Sequence, residues 1–234
     1  MHERHAKVLS GLITEYIKTG QAVSSKQLAK KKQLKLSSAS IRSIMQDLCN
    51  TGFAYQPHTS AGRIPTDAGY RYYLDNLSVG PLPAVLRTRL YSQYEDLVAK
   101  HGSKQLAMVE LLAQLTQSLA VVGNINNHQF EQSGISGLFL GESEDQLDLM
   151  QEISVLLDNM HQMLAELSSL ESGGTTVFIG SENPYFTSAH ISIMLQPARS
   201  KSKDKKVIML IGPKRMQYRR NLSLLNEIED IFNS

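Results

Sequence analysis

With 234 residues, 41% of them apolar and 20% charged, the chain has material for one large core or two smaller ones. Its single cysteine, Cys49, excludes an intrachain disulfide and argues against a cysteine-based metal site. No stretch approaches the roughly 18 apolar residues of a membrane span, and the opening MHERHAKVLS has no apolar run behind its charges as a secretory signal would; the expected setting is reducing and cytoplasmic. The net charge of +2 conceals three blocks. Residues 1–77 hold 11 Lys/Arg against 5 Asp/Glu, residues 101–175 hold one Lys against 10 acids, and residues 196–220 hold 9 bases against one acid. Blocks of opposite sign suggest separate tasks, and a small basic N-terminal module is a candidate binder of polyanions.

In HAKVLSGLITEYIKTG, Val8, Leu9, Leu12, Ile13, Tyr16 and Ile17 form one apolar stripe at helical spacing, and Gly20 ends it. A short second helix begins at Ser24 or Ser25 and turns Leu28 and Ala29 inward. A third opens on serines in LSSASIRSIMQDLCNTG, packs Ile41, Ile44, Met45 and Leu48, and stops at Gly52. FAYQ alternates as a short strand around Phe53 and Tyr55, RIP returns as its partner, and Thr66 caps a helix carrying Tyr70, Tyr73, Leu74 and Leu77. The turn-forming SVGPLP then marks a boundary. The expected organisation is a domain over 1–77, a linker over 78–83 and a second domain over 84–234.

In that second domain, 84–100 and 103–122 read as helices and ISGLFLG as a strand. Glu142, Glu144, Asp145 and Asp148 read as an acidic helix start, and 144–170 as one long amphipathic helix with Met150, Met160 and Met163 as core filler. TTVFIG reads as a strand. HISIMLQ and KKVIMLIG read as a hairpin across the basic loop 199–206, and a closing helix turns Leu222, Leu225, Ile228 and Ile231 inward. The whole is α+β, with a mostly antiparallel sheet of about four strands and long helices. Its exposed edges, or the helix 144–170, would be covered by a second copy of the chain.

Three helices followed by a two-stranded wing is the layout of a winged helix-turn-helix. Packing the apolar residues of the third helix inward leaves Ser40, Arg42, Ser43 and Gln46 outward, with Ser37 and Ser38 at its N-terminus. There, free backbone N–H groups favour phosphate. Arginine can pair with guanine and glutamine with adenine in the major groove. The loop QPHTSAGR has no large apolar anchor. Gly62 would supply a tight turn of positive φ, and His58, Thr59, Ser60 and Arg63 would reach phosphates or a minor groove. Lys26, Lys30, Lys31, Lys32 and Lys35 surround the presumed turn and would add sequence-independent affinity.

SSASIRSIMQDL together with QPHTSAGRIPTDAGYRYYLDNL resembles the N-terminal signature of the heat-inducible transcription repressors, the HrcA family. VFIGSENP, IGPKRMQYRRNLSLL, AQLTQSLAVV and GLFLGESEDQLDLMQEISVLL are similar to later parts of that family. The resemblance implies a dimeric repressor that binds an inverted repeat upstream of chaperone operons, with chaperonin as a helper. It also implies a winged helix followed by a GAF-like domain that carries an inserted dimerisation domain. The recognition-helix and wing residues named above become the DNA-contact candidates. Two features depart from the family pattern. VVGNINNHQFEQSGIS passes almost directly from helix to later strand, so the inserted domain and part of the GAF-like domain are expected to be missing. Ser43 and Ile44 stand where the family tends to carry a polar-acidic pair.

The expected function is therefore sequence-specific repression of heat-shock or chaperone genes by a homodimer on double-stranded DNA. The alternative is a ligand-sensing winged-helix regulator whose C-terminal domain binds a metabolite. No acid, base or nucleophile is positioned for catalysis, and no metal or cofactor is expected.

Overall fold

The computed structural model describes residues 1–139, 146–167, 174–198 and 205–233, and side chains for all of these except Phe139, Gln146 and 229–233. The chain divides into two units, Met1–Ser78 and Val79–Ser234.

In the first unit, α1 (Glu3–Thr19), α2 (Ser25–Ala29) and α3 (Ser38–Asn50) precede the strands β1 (Ala54–Tyr55) and β2 (Ile64–Pro65) and the helix α4 (Asp67–Asp75). Three hydroxyls start three of the helices. Ser24 forms a capping box with Gln27, the Ser37 side chain accepts from Ser40 N, and Thr66 accepts from Gly69 N. Each such cap is worth about 1 kcal/mol. Of the stripe read from the sequence, Val8, Leu9, Leu12 and Ile13 of α1 are buried with Leu28, Ile41, Met45, Leu48 and Tyr70, while Tyr16 and Ile17 are half-buried. Burying each large side chain contributes about 1.5–3 kcal/mol. Ala54 is the buried residue of β1 and Tyr55 is exposed. α4 runs close to the root of this strand, since a Cβ on Gly69 would lie 2.2 Å from the Phe53 carbonyl oxygen.

The second unit is a five-stranded antiparallel sheet in the order β4-β3-β7-β6-β5. It is built from β3 (Leu119–Asn124), β4 (Phe130–Ser133), β5 (Thr176–Ile179), β6 (Ile191–Ala198) and β7 (Lys206–Pro213). The helices α5 (Ala84–His101) and α6 (Lys104–Thr116) precede it, α7 (Gln146–Asp158) and α8 (Met160–Glu166) interrupt it, and α9 (Tyr218–Asn233) closes the described chain. One sheet face, formed by Leu119, Val121, Ile191, Ile193, Leu195, Val207, Met209 and Ile211, packs on Leu149, Ile153, Leu156, Met160, Met163 and Leu164 of α7 and α8. The alternate residues, among them Ala120, Val122, Met194, Ile208 and Leu210, are equally buried on the opposite face, where α6 and α9 pack. No helix among the described residues is long and apolar enough to cross a membrane.

Several sequence expectations for this unit are corrected. Residues 119–122 are strand, not helix. The helix ends where Gln117 adopts a left-handed φ of 52°, and a run buried on both faces of a sheet carries no period to distinguish it. Residues 130–133 form an edge strand that the sequence concealed, since only Phe130 packs on the core in an otherwise polar segment. Residues 135–139, expected as a strand, form a 3₁₀ turn entered through Gly134 at φ 98°. Among the described residues the sheet therefore has five strands where about four were expected. The long helix is two, broken at Asn159, whose side chain turns back to the Val155 carbonyl. Met160 and Met163 are core, but Met150 is 44% exposed. On α9, Leu224 and Leu225 are buried whereas Leu222 is only half-buried. The acidic residues 142, 144 and 145, the basic loop 199–204, the helix end at 168–170 and the side chain of Ile231 lie outside the described residues.

One charged group ties α7 to the loop before β6. The Glu152 carboxylate accepts from Ser188 Oγ (2.5 Å), Ala189 N (3.1 Å), His190 N (3.3 Å) and His190 Nδ1 (2.9 Å). Burial pushes its pKa up, but the hydrogen bonds from Ser188, His190 and Ala189 outweigh it, and the carboxyl sits below its ordinary value. A depressed carboxylate contributes stability that is present above the unfolded pKa and lost as pH falls through the folded one. Glu152→Gln is therefore expected to cost about 1–3 kcal/mol at pH 7. It should also show a smaller loss of stability than the wild type between about pH 5 and pH 3. Urea unfolding across that range checks both expectations.

Candidate nucleic-acid interface

The surface of interest is built from α3 and the hairpin beside it. Ile41, Ile44, Met45 and Leu48 turn into the core, which leaves Ser40, Arg42, Ser43 and Gln46 exposed on the outer side of α3. The serines are not equivalent. Ser37 is the cap, its hydroxyl lies 2.9 Å from that of Ser40, and Ser38 is half-buried with its hydroxyl 3.1 Å from Ser25 of α2. These three hydroxyls are engaged in starting and docking the helix. Arg42 and Ser43 are exposed and make no hydrogen bond to any described residue.

Gln46 is held on two sides. Its carbonyl oxygen accepts from an Arg63 guanidinium nitrogen at 2.9 Å, and its amide nitrogen donates to Asn50 Oδ1 at 3.1 Å. Arg63, expected to reach outward from the wing, instead turns onto α3. It is half-buried, and its Nε is shielded from solvent with no hydrogen bond to any described residue. Asn50 was not anticipated, although a Gln–Asn pair at i, i+4 is a recognised helical contact that the sequence displays.

Gly62 serves a purpose other than the one expected. It has no positive φ. Arg63 pairs with Val23, just before α2, through Val23 N to Arg63 O (2.9 Å) and Arg63 N to Val23 O (2.8 Å). A Cβ on Gly62 would lie 2.3 Å from both the carbonyl carbon and the oxygen of Val23. Glycine is required here for close backbone approach, not for a turn. Beyond this root the wing is braced by Gln56, whose amide donates to the carbonyls of Thr59 (2.8 Å) and Ala61 (3.0 Å). The sequence reading missed that brace, and nothing in residue spacing signals it. His58, Thr59 and Ser60 stand exposed at the tip.

Of the five lysines, Lys26, Lys30, Lys32 and Lys35 are exposed. Lys31 departs from the expected role. Its ammonium pairs with Glu15 of α1 at 2.8 Å and the side chain is half-buried, because the turn after α2 folds it back across the first helix. A cleft of about 360 Å³ in the second unit is lined by Asp148, Gln151, Glu152, Val155, Phe186, Thr187 and His190. Its central carboxylate is already saturated by the loop it tethers. Among the described residues, no group of three or more His, Cys, Asp or Glu side chains could hold a metal ion.

The fold defines a class, a winged helix-turn-helix module followed by an α+β unit. A crystal structure described as that of a hypothetical protein shares this fold over 99% of this chain and 97% of its own, with a TM-score of 0.71 at 18% identity. The family profile described as HrcA protein C terminal domain matches residues 76–222, and the chain belongs to the HrcA family. The heat-inducible transcription repressor HrcA of Desulfitobacterium hafniense (strain DSM 10664 / DCB-2) is 37% identical over 130 residues, which cover 52% of this chain and 36% of that protein. The protein of the same name from Moorella thermoacetica is 36% identical over 156 residues, covering 67% of this chain and 40% of its own. The chain thus matches well under half the length of these relatives. A third, from Thermodesulfovibrio yellowstonii, is 26% identical over 332 positions, covering 97% of this chain and 95% of that protein. Since 332 exceeds the 234 residues here, part of that relative has no counterpart in this chain.

Gly62→Ala tests the wing root. The new methyl must displace Val23 backbone, so the first unit is expected to lose about 2–4 kcal/mol of stability in denaturant unfolding. Gly52→Ala has open space and only a positive φ of 79° to pay for. It should cost about 1–2 kcal/mol. Equal stability of Gly62→Ala and wild type would mean that the wing is not pinned at Val23.

Proposed function

We propose that the chain is a sequence-specific DNA-binding transcription repressor of heat-shock or chaperone genes, acting in the cytoplasm as a homodimer on an inverted-repeat operator. The observation that carries this reading is the outward row Arg42, Ser43 and Gln46 on a capped, well-anchored α3, beside a braced wing whose tip presents His58, Thr59 and Ser60. Membership of a family whose curated relatives are named heat-inducible transcription repressors supports it. In this reading α3 lies in the major groove, with Arg42 on guanine and Gln46 on adenine. The N-terminus of α3 at Ser37 and Ser38 meets a phosphate. The wing tip reaches the neighbouring backbone or minor groove, and Lys26, Lys30, Lys32 and Lys35 supply affinity independent of sequence. A second copy of the chain places a second α3 on the other half-site. Chaperonin is proposed as the partner that restores binding after heat, as the sequence resemblance to the heat-inducible repressors implies.

Selection of bound duplexes from a random pool tests the reading, since one measurement reports binding, palindromy and half-site spacing. An inverted repeat is the expected outcome, and a pool with no enriched sequence would sink the proposal. Arg42→Ala is expected to lower affinity for the selected duplex about tenfold or more, with a much smaller effect on scrambled duplex. An unchanged ratio of the two affinities would remove Arg42 from base readout. Arg42 is exposed, so thermal unfolding should not change.

A further inference from the structure

Resting on the DNA-binding reading, we propose that Arg63 is a positioning residue, which holds the Gln46 side chain in the single orientation that selects adenine. A guanidinium only donates hydrogen bonds, so the Gln46 atom facing it at 2.9 Å must be the carbonyl oxygen. Turning the amide over would set its N–H groups against the N–H groups of Arg63. Asn50 engages the other end at 3.1 Å. A glutamine amide has two acceptor lone pairs and two N–H donors. Arg63 takes one lone pair and Asn50 takes one N–H, which leaves one acceptor and one donor for DNA. Among base edges in the major groove, adenine alone presents a matching pair, the N6–H donor beside the N7 acceptor. Guanine presents two acceptors there, cytosine a donor, and thymine an acceptor beside a methyl group.

The same geometry takes Arg63 out of phosphate binding. Its backbone is fixed to Val23 by two hydrogen bonds, its Nε is shut off from solvent, and its guanidinium lies against α3 and away from the exposed tip at His58–Ser60. The wing thereby governs specificity at one base pair in each half-site by orienting a residue on the neighbouring helix.

The test uses the full chain and the duplex selected from the random pool, with every base pair of one half-site then varied in turn. Gln46→Glu keeps an acceptor for Arg63 but has no N–H to offer. It is expected to move the preference at one position from adenine to cytosine, whose N4 amine donates. Arg63→Met keeps the aliphatic stem and frees the amide. It is expected to reduce adenine discrimination at that same position several-fold and to leave the salt dependence of binding as steep as in the wild type. Two results overturn the proposal while leaving the repressor reading intact. One is a Gln46→Glu variant that keeps the wild-type preference at every position. The other is an Arg63→Met variant that weakens all duplexes equally with a shallower salt dependence, which would make Arg63 a phosphate contact. If Arg63→Met does not fold, Arg63→Lys takes its place: a point charge without the planar fork is expected to lower adenine discrimination at the same position, and unchanged discrimination there overturns the proposal. A pool with no enriched sequence would instead bring down the DNA-binding reading itself, and this proposal with it.

Discussion

Two backbone hydrogen bonds between Val23 and Arg63 set the geometry of the first unit's outer surface. The hairpin they hold has only two paired residues in each strand. An isolated hairpin of that size is at best marginally stable in water. Anchored at Val23, however, its root becomes continuous with the turn before α2, and α4 closes on it from the other side through Gly69 and the Thr66 hydroxyl on Gly52 O. The wing stands at one fixed place beside α3 because both its ends are fastened to helices. The Arg63 side chain therefore emerges toward Gln46, where its guanidinium has an acceptor to meet.

The second unit obeys a different constraint. Its central strands are apolar on both faces, and helices must cover both. That requirement joins segments far apart in the chain, since β3 pairs with β7 and α7 packs on β6. The loop before β6 packs Tyr185 and Phe186, only partly buried, against the core, and Glu152 adds four hydrogen bonds to it. A carboxylate so occupied is a structural tether. A ligand recruited by that carboxylate would have to displace bonds that the protein already makes.

The family match and the outward row of α3 lie in different units of the chain. The profile match lies almost wholly in the second unit, at 76–222, whereas the outward Arg42, Ser43 and Gln46 and the wing belong to the first. Between α6 and the 3₁₀ turn at 135–139, β3 and β4 close as a hairpin over residues 125–129, whose turn the Asn124 side chain braces by accepting from Asn126 N and Asn127 N.

What the sequence determined alone was local. A serine cap before each of α2 and α3, the Thr66 cap, the apolar stripe of α1, the inward residues of α3 and the β6–β7 hairpin all follow from interactions between residues a few positions apart, and such interactions leave a period or a motif. The α+β class and the outward row on α3 followed from those. Tertiary structure alone decided whatever depends on distant backbone. The strand at 119–124 carries no period, because both its faces are covered. Gly62 is glycine because Val23 lies against it. Lys31 is paired because Glu15 comes near, and Arg63 turns inward because the wing root places Gln46 within reach. In each case the partner is set by how helices and strands pack, and a residue's own neighbours in the chain hold no record of that.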